Sequence, residues 1–133
     1  MSAVVVDTHA LIWMLSEPSK LSPAAVDAIK RAVDEREAIY FSTISIVEIR
    51  YLIEKGRFPE TLLDKLLLDM NKAGTSLEII ALTEEIALTL RKIPRDIVPD
   101  MPDRIIAATA LELGLPLVTR DHKIIASGIP TIW

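Results

Sequence analysis

The sequence predicts an α/β fold: three layers, α/β/α, around a mainly parallel five-stranded sheet. Short β-branched runs alternate with longer stretches of helical period, the pattern of a sheet whose crossovers are helices. Most of the short runs are apolar throughout, as strands buried on both faces are. The 133 residues contain no internal repeat, which suits one domain over 1–133 that hides roughly two thirds of its unfolded surface.

Strands are expected at Ala3–Val6, Ala38–Phe41, Leu77–Ile80, Leu115–Val118 and Thr131–Trp133. The helices fall between them. Ser22 before Pro23 is a good N-cap with proline in the first turn, and Ala24, Ala25, Ala28, Ile29 and Ala32 form an apolar stripe that ends near Asp34. Thr43–Lys55 follows, with Gly56 as its stop. Pro59–Lys72 carries Leu62, Leu63, Leu66, Leu67 and Met70 at helical spacing, a stripe for the core or for a dimer surface, and Gly74 ends it. Thr83–Arg91 opens on a capping Thr-Glu-Glu and stops before Pro94. Pro102–Leu113 is closed by Gly114-Leu115-Pro116.

Composition removes several classes of protein. There is no cysteine, hence no disulfide, thiolate metal site or thiol nucleophile. Charge-free stretches such as Ala38–Val47 and Ile124–Trp133 are about half of what a bilayer crossing needs. Asp7 interrupts the first apolar run with no Lys or Arg before it, so no secretory signal is expected and a cytoplasmic protein is the default. Fifteen Lys and Arg against nineteen Asp and Glu give a net charge of −4, the wrong sign for nonspecific grip on nucleic acid, so any such contact is local. Two Trp, two Tyr and two Phe make a base-stacking platform improbable.

In open α/β sheets function collects beyond the carboxyl ends of the strands. There the sequence places Asp7 after Val4-Val5-Val6, Ser42-Thr43 after Tyr40-Phe41, and Thr119-Arg120-Asp121 after Leu117-Val118. Two helices add further acids. Glu48 shares a face with Ile44, Val47, Tyr51 and Leu52. Asp103 opens the helix whose packed face carries Ile106, Ala107 and Ala110. Each acid has a plainer explanation. Asp7 and Asp121 could be N-caps, Asp100 a cap with Asp103 in the dipole-favoured first turn, and Glu48 a side chain reaching water from the stripe's edge. His9 and His122 read as ordinary polar contacts.

Together the acids point elsewhere. Four carboxylates about 5 Å apart would each repel a neighbour by roughly 3 kcal/mol at an effective dielectric of 20, and a divalent cation resolves that conflict. An all-oxygen set without cysteine or a paired histidine favours Mg²⁺ or Mn²⁺ over Zn²⁺. Magnesium most often serves phosphoryl or phosphodiester transfer.

Five segments in order resemble the PIN domain, and within it the VapC-type toxins of toxin–antitoxin pairs: Val4-Val5-Val6-Asp7-Thr8-His9-Ala10-Leu11-Ile12-Trp13, Ser42-Thr43-Ile44-Ser45-Ile46-Val47-Glu48-Ile49, Pro102-Asp103-Arg104-Ile105-Ile106-Ala107-Ala108-Thr109-Ala110, Leu117-Val118-Thr119-Arg120-Asp121 and Ile129-Pro130-Thr131-Ile132-Trp133. The resemblance implies a Mg²⁺- or Mn²⁺-dependent endoribonuclease that leaves 5′-phosphate and 3′-hydroxyl ends. Asp7, Glu48, Asp103 and Asp121 match the family's acidic quartet, and Asp100 matches an accessory metal-binding acid. Thr8, Ser45 and Thr119 would be the hydroxyls that orient those carboxylates. Arg50, Arg104, Arg120 and Lys123 are candidates to hold the RNA backbone. The implied partners are RNA, a second copy of the chain, and a small VapB-like antitoxin whose tail covers the site. The approach to the second acidic motif, Ile93-Pro94-Arg95-Asp96-Ile97-Val98-Pro99-Asp100-Met101-Pro102, departs from the His-rich form common among relatives, so no particular RNA target is implied.

Two other classes compete. A receiver-type phosphoacceptor also puts acids and Mg²⁺ at the end of a doubly wound sheet, but it requires paired acids after the first strand and a Lys after the last, and neither is present. A catalytically silent binding module on the same fold is the other.

Overall fold

The computed structural model describes residues 2–133. Its sheet has five parallel strands, β1 (Val4–Val6), β2 (Ile39–Ser42), β3 (Leu77–Ile80), β4 (Leu117–Val118) and β5 (Thr131–Ile132), in the order β3-β2-β1-β4-β5. From β1 the chain builds outward through β2 to β3, then crosses back to add β4 and β5 on the other side. The order therefore reverses between β1 and β4, the place where open sheets of this kind bind ligands. A receiver domain has the order 2-1-3-4-5, so the observed topology argues against that class. Leu115 and Pro116 lie outside β4 although the sequence suggested a strand from Leu115. Proline cannot donate to a ladder, and Pro116 contributes only its carbonyl, which accepts the Val5 N–H at 3.0 Å.

Seven helices, α1 (Thr8–Ser16), α2 (Pro23–Asp34), α3 (Thr43–Glu54), α4 (Thr61–Met70), α5 (Glu84–Thr89), α6 (Met101–Leu113) and α7 (His122–Ala126), fill the crossovers. The five foreseen in the sequence are present, with ends shifted by a residue or two. The exception is the Thr83–Arg91 segment, whose end tightens into a 3-10 turn at Leu90–Lys92. Gly114 adopts φ 66° at the end of α6, where the Leu115 N–H reaches the Ala110 carbonyl and the Gly114 N–H that of Leu111, a Schellman closure that a Cβ would strain. Helices α1 and α7 were not foreseen. Ala10, Leu11, Ile12, Trp13 and Leu15 of α1 are all buried, so the helix is apolar nearly all round and shows no helical period. Helix α7 is too short to show one.

The strands' alternation divides the core. Val4, Val6, Ile39, Phe41 and Val118 pack with α1, α2 and α4 on one face. Val5 and Leu117, with Tyr40 and Ile80, pack with α5, α6 and α7 on the other, as the period of two along a strand requires. Helix α3 contributes Ile49 to the first cluster and Ile44 to the second and packs against both α1 and α6. It therefore lies across the carboxyl edge and joins the two layers where the acids are.

Candidate active site

Helix starts position four of the five acids. Asp7 is the N-cap of α1: its Oδ1 accepts the Ala10 N–H at 2.8 Å, and its Oδ2 accepts the Thr119 hydroxyl at 2.5 Å. Thr119, wholly buried behind β4, accepts the Asp121 N–H at 3.0 Å on the same oxygen. The two strand ends at the point of reversal are thus tied together by side chains. Asp121 caps α7 by accepting the N–H groups of Lys123 and Ile124. Asp100 caps α6 by accepting the Asp103 N–H at 3.1 Å, and Asp103 stands in that first turn. Cap and site roles coincide here, because a cap uses one carboxylate oxygen and holds the acid at the positive end of a helix.

Glu48 arrives from α3. Its Oε1 accepts the Thr8 hydroxyl at 2.5 Å, and the Thr8 Oγ1 lies 2.9 Å from that of Ser45. Thr8 has one hydroxyl proton and spends it on the carboxylate, so Ser45 donates to Thr8. Both hydroxyls are buried, and they fix the one acid that enters from a helix face instead of a cap. Thr8 and Thr119 therefore each donate to a carboxylate, and Ser45 backs Thr8.

The acids press on one another. Asp7 is 8% exposed. Burial raises its pKa, against which the Thr119 hydroxyl, the Ala10 N–H and nearby His9 act, while Asp121 adds to the rise. Glu48 is raised by burial as well, with Thr8 and His9 opposing and Asp100 and Asp7 reinforcing. Asp103 is pushed up to about 7, first by burial and then by Asp100, Asp121, Glu48 and Asp7. One observation unites the five acids: every other member of the set raises the pKa of Asp103.

A hard divalent cation suits this donor set. The donors are all oxygen, and among the described residues the Asp103 carboxylate accepts no hydrogen bond while facing four like charges. Among the described residues no three Asp, Glu or His side chains stand close enough together to grip an ion between them. Magnesium does not require such a cage, since it takes one or two carboxylates and keeps several waters.

A cleft of about 680 Å³ opens over Asp7, Glu48, Asp100, Asp103 and Asp121. Arg120 and Lys123 line it, as do His9, Trp13, His122, Val98 and Pro99, which the sequence did not single out for the site. Trp13 lies on the unforeseen α1, and only the interval from Asp7 to Trp13 could have signalled it.

The other two candidate RNA contacts are engaged elsewhere. Arg50 forms a two-pronged pair with Glu60, at 2.9 and 2.6 Å, on the exposed outer side of α3. Arg104 turns away from the acids. Its Nη2 donates to the carbonyls of Leu90 and Ile93 at 2.8 and 2.9 Å, and its Nε to that of Ile93 at 3.2 Å. Those carbonyls lie at the two ends of the 3-10 turn, and that of Leu90 also accepts the Ile93 N–H at 3.0 Å, so Arg104 clasps the start of the loop that carries Val98, Pro99 and Asp100 to the cleft. Arg104→Leu is expected to lower stability by about 1.5–3 kcal/mol, the worth of charge-assisted hydrogen bonds, in urea unfolding. Unchanged stability with weakened RNA binding would return Arg104 to the phosphate contacts.

The PIN-domain profile matches residues 4–127. The chain is 31% identical over 136 residues to ribonuclease VapC22 of Mycobacterium tuberculosis, and the match covers all of both proteins. Its fold is similar to that in the VapBC2 structure from Rickettsia felis bound to a promoter DNA fragment, with a TM-score of 0.72 at 16% identity, over 97% of this chain and 96% of that one. A toxin–antitoxin complex from Klebsiella pneumoniae gives a TM-score of 0.63 at 23% identity, over 98% and 96% of the two chains. PAE2754 from Pyrobaculum aerophilum gives 0.61 at 21% identity, over 97% and 91%.

Proposed function

Since the chain belongs to the PIN-domain family, we propose that it is a Mg²⁺- or Mn²⁺-dependent endoribonuclease, the toxin of a toxin–antitoxin pair, whose cleavage of RNA in the cytoplasm halts translation and growth. The observation that carries this reading is the convergence on one cleft of five acids, four from the starts of α1, α6 and α7 and one from the face of α3. The ribonuclease name of the full-length relative and the toxin–antitoxin structures of similar fold support it.

The ion would be held by one or two carboxylates drawn from Asp7, Glu48, Asp103 and Asp121, with Asp100 beside them, and when bound supplies Lewis acidity at a phosphodiester and lowers the pKa of water. The chain's own groups do the rest. The Thr119 and Ala10 donors hold Asp7 with both oxygens engaged. Thr8 and Ser45 hold Glu48. Arg120 and Lys123, which also line the cleft, offset the repulsion between a phosphate backbone and the acids. An antitoxin tail bearing Arg or Lys would suit the acidic wall. Val47 and Tyr51 on α3 and Leu67 and Leu68 on α4 remain exposed, and we assign apolar surface of this kind to a second copy of the chain.

The test is incubation of purified protein, free of antitoxin, with total cellular RNA in Mg²⁺, in Mn²⁺ and in EDTA. Discrete fragments with 5′-phosphate ends are expected with either ion and none in EDTA. Equal cleavage in EDTA would remove the metal, and no cleavage together with no Mn²⁺ binding by calorimetry would leave a binding module on a nuclease fold.

A further inference from the structure

The two tryptophans of the chain come from its opposite ends and meet beside the acids. Trp13 is on α1, two turns beyond Asp7. Trp133 follows β5, and because Val118 pairs with Ile132 the last residue lies level with Thr119. The indole centroids are 5.8 Å apart at 52°. His9 adds a third ring, 5.6 Å from Trp13. Over the Trp13 ring, 5.0 Å from its centroid, stands the Arg120 guanidinium. Arg120 is exposed and, among the described residues, has no hydrogen bond or ion pair. Trp13, His9 and Arg120 all line the cleft that holds Asp7 and Asp121.

The Arg120 guanidinium is thus a flat cation held against an indole and exposed to solvent. Such planes take unpaired RNA bases by stacking, as aromatic rings do. The cleft's five acids repel phosphate, whereas Arg120 and Lys123 in the same lining attract it, so a nucleotide is drawn to the Arg120 end of the cleft. The geometry points to a nucleobase seat: Arg120, backed by Trp13 and Trp133 and flanked by His9, stacks the base of a single-stranded nucleotide next to the phosphodiester that is cut. This rests on the ribonuclease reading and deepens it by giving the base beside the cut its own seat. Six aromatics made a stacking platform improbable on composition, but a count carries no information about where the rings lie, and the fold gathers both tryptophans at one edge.

Both tryptophans belong to the proposed seat, so intrinsic fluorescence reports on it directly. Asp7→Asn protein, which prevents turnover, would be titrated with hexa-adenylate, with hexa-uridylate, and with inorganic polyphosphate of six phosphates, which carries charge without bases. The oligonucleotides are expected to quench and to bind about tenfold or more tightly than polyphosphate, the adenylate better than the uridylate. In the same background Arg120→Lys keeps the charge but not the plane. It is expected to lose about tenfold for the oligonucleotides and nothing for polyphosphate. Equal affinity for oligonucleotide and polyphosphate, or an Arg120→Lys protein that binds oligonucleotides undiminished, would overturn the seat and leave Arg120 a phosphate contact. Absence of quenching by any of the three would also overturn it and turn the platform over to a protein partner. Base-dependent binding by a protein that cuts no RNA would keep the seat and overturn the ribonuclease, so the two readings fail separately.

Discussion

Asp7→Asn and Asp103→Asn are each expected to abolish metal-dependent RNA cleavage, by on the order of a thousandfold or more, while the protein stays folded. The amide at position 7 keeps the Oδ1 that accepts the Ala10 N–H. It surrenders only the acceptor for the Thr119 hydroxyl and removes a charge that burial disfavours. At position 103 the change deletes the charge that Asp100, Asp121, Glu48 and Asp7 all oppose, so stability should hold or rise. Asp7→Ala is the contrast. It takes the cap away as well and should cost about 0.5–2 kcal/mol. The measurement pairs cleavage of one RNA fragment with urea unfolding of each variant. Loss of several kcal/mol by both Asn variants, with cleavage retained, would make these acids structural caps and nothing more.

The second large effect is a stability that falls as pH rises in metal-free protein. The Asp103 pKa stands at about 7 in the fold against an ordinary 3.8, and those of Asp7 and Glu48 are also raised. Between the ordinary and the raised values the folded state binds more protons than the unfolded chain. The slope of unfolding free energy with pH is then negative: the contribution is fully present below about pH 4 and is lost as pH climbs to about 7. In EDTA the urea midpoint of wild type should therefore drop from pH 5 to pH 8 relative to that of Asp103→Asn, which lacks the group raised to about 7. Mn²⁺ should reverse the loss in wild type. Its stabilisation grows with pH because the ligands must be deprotonated. A wild-type midpoint that parallels Asp103→Asn across that range would mean that the five acids do not interact.

Much of the site was legible because its acids occupy positions that local rules pick out. Asp7 and Asp121 follow strands at the edge where open sheets act, and Asp100 and Asp103 flank a Pro at a helix start. Glu48 stood out as a carboxylate within an apolar stripe. What could not be read was direction. Arg104 neighbours Asp103 in sequence, yet a helix sends adjacent side chains about 100° apart, and its guanidinium closes a turn on the far side. Arg50 is two residues from Glu48 and for the same reason faces Glu60 instead of the cleft. Helix α1 escaped notice because amphipathic period is the signal for a helix, and a helix buried nearly all round has none.

The succession of the strands and of five of the seven helices along the chain, the burial of the sheet on both faces and the placing of the acids after strands and at helix starts were legible in the sequence alone. They follow from patterns a few residues long: apolar β-branched runs, caps, stops, and an acid at the end of a strand. Only the tertiary structure decided which residues separated along the chain share the cleft. Parallel pairing of β1 with β4 sets Thr119 against Asp7, the crossing of α3 brings Glu48 to Thr8, and the register of β5 carries Trp133 to Trp13. Local propensity acts through bonded neighbours and is written along the chain, whereas these meetings depend on strand order and register, which are settled only when the two layers close on the sheet and bury their apolar faces together.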